Sequence, residues 1–373
     1  RPERRSVEMK IALVTLAFLL APLVGARAEE VVIPVPKGVT PPEVPADNPL
    51  TAAKIELGKK LYFDPRLSSD DTISCATCHD PRAGFAEHKP VSDGVAGGRG
   101  NRNAPTVMNA AFFREQCWDG RAPSLEAQAV GPIINPVEMA MPEHPAVEKK
   151  LAGLAEYPPL FQKAFGDPEV TISRIGKALA SFERTLVSLD APIDRFLAGD
   201  ATAISGSAKR GWVLYNSKAL CVTCHAHVAA SPLFTDAKYH NLGVAAKPAE
   251  FLALAKQLAE RPADFEKLAS APGVEELGRF AVTRKPQDLG AFKTPHLRNI
   301  ALTAPYMHDG SEATLAEVIE YYDRGGNKNP WLDPNMRPLG LTAQEKADLV
   351  ALLETFTSSD LARFDELGKL MPK

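Results

Sequence analysis

This 373-residue chain has little β-alternation, no excess of basic charge, few cysteines and no apolar run long enough to span a bilayer. Each shortage removes a class of protein. The apolar run from Ile11 to Val24 is too short for a transmembrane helix. With Met9-Lys10 before it and the small-x-small stretch Ala26-Arg27-Ala28 after it, the run reads as a secretory signal peptide ending at Ala28. Arg1 to Glu8 then form an upstream extension with no part in folding. Cleavage would remove five basic and two acidic groups, shifting the formal charge from −3 to −6. That balance disfavours nucleic acid and leaves room for a patch that docks a small redox protein. Five cysteines are too few for a disulfide framework in so long a chain. Scarce alternation predicts a mainly helical protein, and the length suffices for about two domains.

What the chain does have is one motif twice. Cys75-Ala76-Thr77-Cys78-His79 and Cys221-Val222-Thr223-Cys224-His225 both read Cys-x-x-Cys-His, the attachment signature of c-type heme. Two thiols form thioethers to the porphyrin vinyls, and the adjacent histidine becomes the proximal iron ligand. A zinc site built from the four cysteines would leave both histidines unexplained. Two covalently bound heme c groups are therefore expected. Cys117 is left over and reads as a small buried apolar residue. Gly58-Lys59-Lys60-Leu61-Tyr62 precedes the first motif and Gly211-Trp212-Val213-Leu214-Tyr215 the second, each reading as the opening helix of a cytochrome domain. Ile175, Leu179, Phe182 and Leu186 recur at helical spacing and close the first half. Thr342-x-x-Glu345 is a capping box that opens a last helix carrying Leu349, Leu352, Leu353 and Phe356. The expected order is a proline-rich lead-in over 29–50, one cytochrome c domain over 51–203, a second over 204–357, and a tail over 358–373. A seam falls near Ala198 to Ser207.

Longer segments go beyond what heme attachment needs. Gly100-Asn101-Arg102-Asn103-Ala104-Pro105-Thr106, Trp118-Asp119-Gly120-Arg121 and Asn135-Pro136-Val137-Glu138-Met139 follow the first motif. Phe292 to Asn299 and Leu302 to Gly310 follow the second. Together with the heme motifs these resemble the bacterial diheme cytochrome c peroxidases and their MauG-like relatives, over roughly residues 50 to 357. The resemblance implies two cytochrome c-like domains packed around an interdomain cleft. It implies that the heme on His79 reacts with hydrogen peroxide and that the heme on His225 handles electrons. Glu138 matches the distal acid/base glutamate, a group that takes a proton from one peroxide oxygen and returns it to the other. Gln128 and Pro132 match distal-pocket positions of the MauG-like branch. Trp118 matches the tryptophan between the hemes. Asn103, with the carbonyls of Thr303 and Pro305, matches a calcium site, and oxygen ligands from loops suit that ion. The resemblance also implies a periplasmic location and a redox partner, either a protein substrate or a small electron-donor protein. It leaves room for a homodimer.

Two positions separate the branches. Many cytochrome c peroxidases plug the resting reactive heme with a histidine just before the Arg-Asn-Ala-Pro-Thr stretch. Here Val95 falls at that place, and His88, off register, reads as a surface residue; an open reactive heme is expected. For the sixth ligand of the second heme, Leu315, Val318, Ile319 and Tyr322 share one face of a helix opened by Thr314-x-x-Glu317, with Tyr321 rotated off that face. Tyr322 stands where the peroxidases place a methionine and MauG a tyrosine, while Met336 is the rival. One departure runs the other way: MauG passes charge through a tryptophan two residues before its second motif, and this chain has Ala219 there, with Trp212 near but not equivalent. The resulting expectation is a MauG-like enzyme that uses peroxide to oxidise a partner protein. A cytochrome c peroxidase fed by a small cytochrome or cupredoxin is the alternative, and a non-enzymatic electron carrier or sensor the third reading.

Overall fold

The computed structural model describes residues 29–371 except 229, 247, 248, 269, 270 and 360; the expected signal peptide lies outside the described residues. The helices that position the site are α1 (Ala52–Tyr62), α2 (Leu125–Ile134), α3 (Ile172–Glu183), α4 (Pro192–Leu197), α5 (Gly206–Tyr215), α6 (Ala249–Glu260), α7 (Leu315–Asp323) and α8 (Ala343–Glu354). Among the described residues the named strands are a two-residue antiparallel pair, Tyr239–His240 with Phe292–Lys293. The mainly helical expectation holds. No described helix is long and apolar enough to cross a membrane.

Each half is built on one crossed helix pair, and a glycine permits each crossing. A Cβ on Gly58 in α1 would lie 1.8 Å from the Ala178 carbonyl oxygen of α3. A Cβ on Gly211 in α5 would lie 2.1 Å from the Asp348 carbonyl oxygen of α8. Only a residue without a side chain lets these backbones approach so closely. Around the first crossing Leu57, Leu61, Tyr62, Ile175, Leu179 and Phe182 form a buried core. Around the second, Ala208, Tyr215, Leu349, Leu352, Leu353 and Phe356 do the same.

The cores divide the chain differently from the expected seam. Ala191, Ile193 and Ile204 belong to the second core, and the Ile193 amide donates to the Thr355 carbonyl at 3.2 Å. The division therefore falls near Ser188 to Asp190. The glycine-bearing stretch 199–206 is a turn inside the second half: turn residues mark where a chain bends, not where a core ends. The expected tail also does more than trail. Phe364 meets Phe85 edge-on at 5.4 Å, and Leu361, Leu367 and Met371 pack against the first core, so this segment returns to the first half. The proline-rich lead-in joins both halves, with Ile33 and Leu50 packed against Val187, Leu189 and Leu233.

A third cluster has no counterpart in the sequence reading. Phe251, Leu254, Ala255 and Leu258 recur on one face of α6 and pack with Leu277, Phe280, Leu289 and Phe292. Trp118 and Trp331 lie against it.

Candidate active site

The repeated Gly-x-x-Leu-Tyr stretch explains how each Cys-x-x-Cys-His motif is held. The Tyr62 hydroxyl donates to the His79 carbonyl at 2.8 Å, and the Tyr215 hydroxyl donates to the His225 carbonyl. Thus the glycine sets the helix crossing, and the tyrosine one turn later ties down the histidine. His225 directs Nδ1 to the Phe234 carbonyl at 2.9 Å. With the proton on Nδ1, the Nε2 lone pair is free to bind a metal. Nδ1 of His79 is buried and makes no hydrogen bond of normal geometry, although the backbone of Phe85 and Pro105 lies near this imidazole. Burial lowers the pKa of both imidazoles, which keeps them in the neutral form that coordinates iron. Two thiols at i and i+3 beside a neutral, buried imidazole fit a covalently attached heme at each motif.

The second motif opens on a largely apolar cavity lined by Tyr215, Cys221, Cys224, His225, Tyr322 and Met336. Leu315, Val318, Ile319 and Tyr322 all line it from α7, and Leu315 and Ile319 are also part of the second core. Tyr321 is rotated away from the cavity, as expected, yet it is fully buried, its hydroxyl donating to the Leu242 carbonyl at 2.9 Å. The polar tip has found a partner inside, which a face assignment from apolar spacing alone does not anticipate. Tyr322 and Met336 wall the same cavity, so both candidate ligands are within it.

A second internal repeat relates α2 to α7. Asn109 and Asn299 both take positive φ, at 60° and 58°; Cys117 and Met307 both sit at 70°. Gln116 bridges Ala122 as Tyr306 bridges Glu312, and Ser124 and Thr314 cap the two helices. Followed along the helices, this repeat pairs Gln128 with Val318 and Pro132 with Tyr322. Where the second half carries a phenol, the first carries a proline ring, which has no side-chain donor atom.

Glu138 follows α2, half-buried. Burial raises its carboxyl above the usual carboxylate range, while the Arg121 charge and a hydrogen bond with Asn135 oppose the rise. Its charge reaches the first motif: after burial itself, Glu87 and Glu138 help push the Cys78 thiol up to about 11. The loop holding Val95 is tied to this segment, the Val95 amide donating to the Glu138 carbonyl at 2.9 Å. Gly94 makes that approach possible, since a Cβ there would lie 2.2 Å from the Val137 carbonyl oxygen. His88 is exposed, with Nδ1 3.1 Å from the Ala304 carbonyl.

Trp118 is fixed at both ends. Its Nε1 donates to the Asn103 carbonyl at 2.9 Å, and its own carbonyl accepts from the Lys293 amide at 2.7 Å. It lines the same cavity as His225, as do Asn103, Thr303, Pro305 and Cys117. Asn103 is buried, with Nδ2 turned to the carbonyls of Lys89 and Pro90 at 3.1 and 3.3 Å. No cluster of three or more His, Cys, Asp or Glu side chains suited to a metal occurs among the described residues. A cation at Asn103 would thus rest on amide and carbonyl oxygens. Burial raises the pKa of the Cys117 thiol, in keeping with an unreactive residue. The sequence reading missed His240, which lines the cavity and is held by Asp333 at 2.7 Å and Asp236 at 3.0 Å. Its one local sign was the i, i+4 spacing from Asp236.

Comparison with known proteins agrees with this arrangement. The family model for di-haem cytochrome c peroxidase matches residues 52–202. The chain is 40% identical to the methylamine utilization protein MauG of Methylorubrum extorquens, over 85% of this chain and 82% of that one. It is 36% identical to the cytochrome-c peroxidase IdrP1 of Denitromonas iodatirespirans, over 94% and 93%. A crystal structure of a MauG-like protein associated with microbial copper homeostasis superposes with a TM-score of 0.73 at 33% identity, covering 88% of this chain and 95% of that chain. The chain belongs to the di-haem cytochrome c peroxidase and MauG family. It is an oxidoreductase that acts on peroxide with two hemes.

Proposed function

We propose that this chain is an exported, periplasmic MauG-like enzyme that uses hydrogen peroxide to oxidise a partner protein. The observation that carries the reading is the Pro132–Tyr322 pairing in the internal repeat, together with Val95 at the place of a plugging histidine. Neither Pro132 nor Val95 has a side-chain atom that could bind iron, so a heme held by His79 would be left open to peroxide. Cys75, Cys78 and His79 hold that heme, and Cys221, Cys224 and His225 the second; when bound, the hemes supply iron that accepts and releases single electrons. Glu138 takes a proton from one peroxide oxygen and returns it to the other, and Gln128 orients the bound peroxide. The indole of Trp118, clamped between Asn103 and Lys293, carries charge between the two sites. Tyr322 would supply an oxygen ligand to the second heme, chemistry that favours the ferric state and a low potential. Asn103, Thr303 and Pro305 would offer oxygen ligands to Ca²⁺, which would stiffen the loops between the two sites.

A second reading, an ordinary cytochrome c peroxidase, is favoured by Ala219, because the tryptophan through which MauG reaches its protein substrate is absent. Met336 on the cavity wall points the same way. Stopped-flow mixing of the fully ferric protein with hydrogen peroxide separates the two. The MauG-like reading expects a Soret change without prior reduction; a reaction seen only after one-electron reduction would favour the second.

A further inference from the structure

Trp212 is a partly exposed aromatic of this half that neither the heme motif nor the distal repeat uses. It lies one turn before Tyr215 on α5, and the two rings stack at 5.4 Å with 15° between their planes. Tyr215 lines the second cavity and donates its hydroxyl to the carbonyl of His225, so its ring abuts the second heme site. Trp212 is partly exposed, edge-on to Phe234 at 6.5 Å, and next to Val213, which is 65% exposed. A stacked pair therefore leads from the cavity to the surface of the second half. The alternative exit at residue 219 is closed to charge, because an alanine side chain cannot be oxidised.

We propose that Trp212 and Tyr215 form the electron port of the second site: a partner protein gives electrons to Trp212, which passes them across the Tyr215 ring. The inference deepens the proposed function and rests on it for the direction of oxidation. Reduction of one peroxide to two waters takes two electrons and two protons. Each electron leaves the indole of Trp212, which becomes a radical cation, and the partner's one-electron donor restores it. Tyr215 acts as a bridge and not as a resting place for charge. Its hydroxyl is held in a hydrogen bond to the His225 carbonyl, an amide oxygen too weakly basic to take the proton on oxidation.

The test uses the heme-loaded ferric enzyme, excess hydrogen peroxide and air-saturated buffer, with no electron donor present. An unreduced indole radical then reacts with dioxygen, and peptide mass spectrometry measures oxygen added at Trp118, Trp212 and Trp331, the chain's three tryptophans. The port predicts oxidation of Trp212 several-fold above that of Trp331, which lies on the third core. It also predicts that Trp212→Phe, which keeps an apolar ring, lengthens the life of the oxidised enzyme several-fold. Equal oxidation of Trp212 and Trp331, or an unchanged lifetime in the variant, overturns the port. The Soret change reports the peroxide reaction separately. If that reaction needs prior one-electron reduction, the MauG-like reading fails, and the same comparison of tryptophans on the reduced enzyme still decides the port.

Discussion

At the scale of single residues, Glu138 and Tyr322 carry the account. Glu138 acts as a base only when ionised, and burial has moved its pKa upward. The rate of the peroxide reaction should therefore rise with pH through that raised pKa and then level off. Glu138→Gln should slow the reaction by about 10²- to 10⁴-fold and flatten its pH dependence. Stopped-flow traces at wild-type rate in the variant would remove Glu138 from the proton path. For the second heme, Tyr322→Phe should change the low-spin spectrum while both hemes stay attached, because Cys221 and Cys224 are untouched. Met336→Leu should leave that spectrum as it was; the opposite pair of results would assign an ordinary His/Met heme. Residues whose role follows from a motif were legible in the sequence, as with the cysteines and histidines of the two heme motifs. His240 was not, because its clamp depends on Asp333, which is brought near only by folding.

At the scale of helices, the two glycine crossings give the repeat its physical meaning. Gly58 and Gly211 were visible as matching positions ahead of the heme motifs, but the reason for them is the backbone of a partner helix far along the chain. Gly211→Ala would press a methyl group onto the Asp348 carbonyl and should cost about 1–3 kcal/mol, read as a fall in thermal midpoint. Gly131→Ala in α2 meets nothing within 4 Å and should instead stabilise by up to about 1 kcal/mol through helix propensity. Equal effects at the two sites would remove the crossing argument. Helix α6 was missed although Phe251, Leu254, Ala255 and Leu258 are regularly spaced, because its apolar face serves a third core rather than either heme domain. The misplaced seam has a similar origin: Gly199, Asp200 and Gly206 signal a turn, and only the packing of Ile193 and Ile204 shows which core owns it.

At the scale of the molecule, one architecture appears twice with different chemistry at matching places. The lead-in and the closing segment strap the halves together, so the two sites keep a fixed relation, with Trp118 anchored by Asn103 and Lys293 on the wall of the second cavity. That doubling was largely legible from the two heme motifs and the two Gly-x-x-Leu-Tyr stretches. The finer repeat that sets Pro132 against Tyr322 was missed although Pro105 and Pro295, Asn109 and Asn299, and Asp119-Gly120 and Asp309-Gly310 match in register; identities so widely spaced stand out only once the matching backbone turns at Cys117 and Met307 fix the register. The central claim is that this difference leaves one heme open and the other closed. Low-temperature EPR of the resting, fully ferric protein near neutral pH tests it most directly. The account predicts one high-spin and one low-spin ferric signal in equal amount; two low-spin signals with no high-spin component would contradict it.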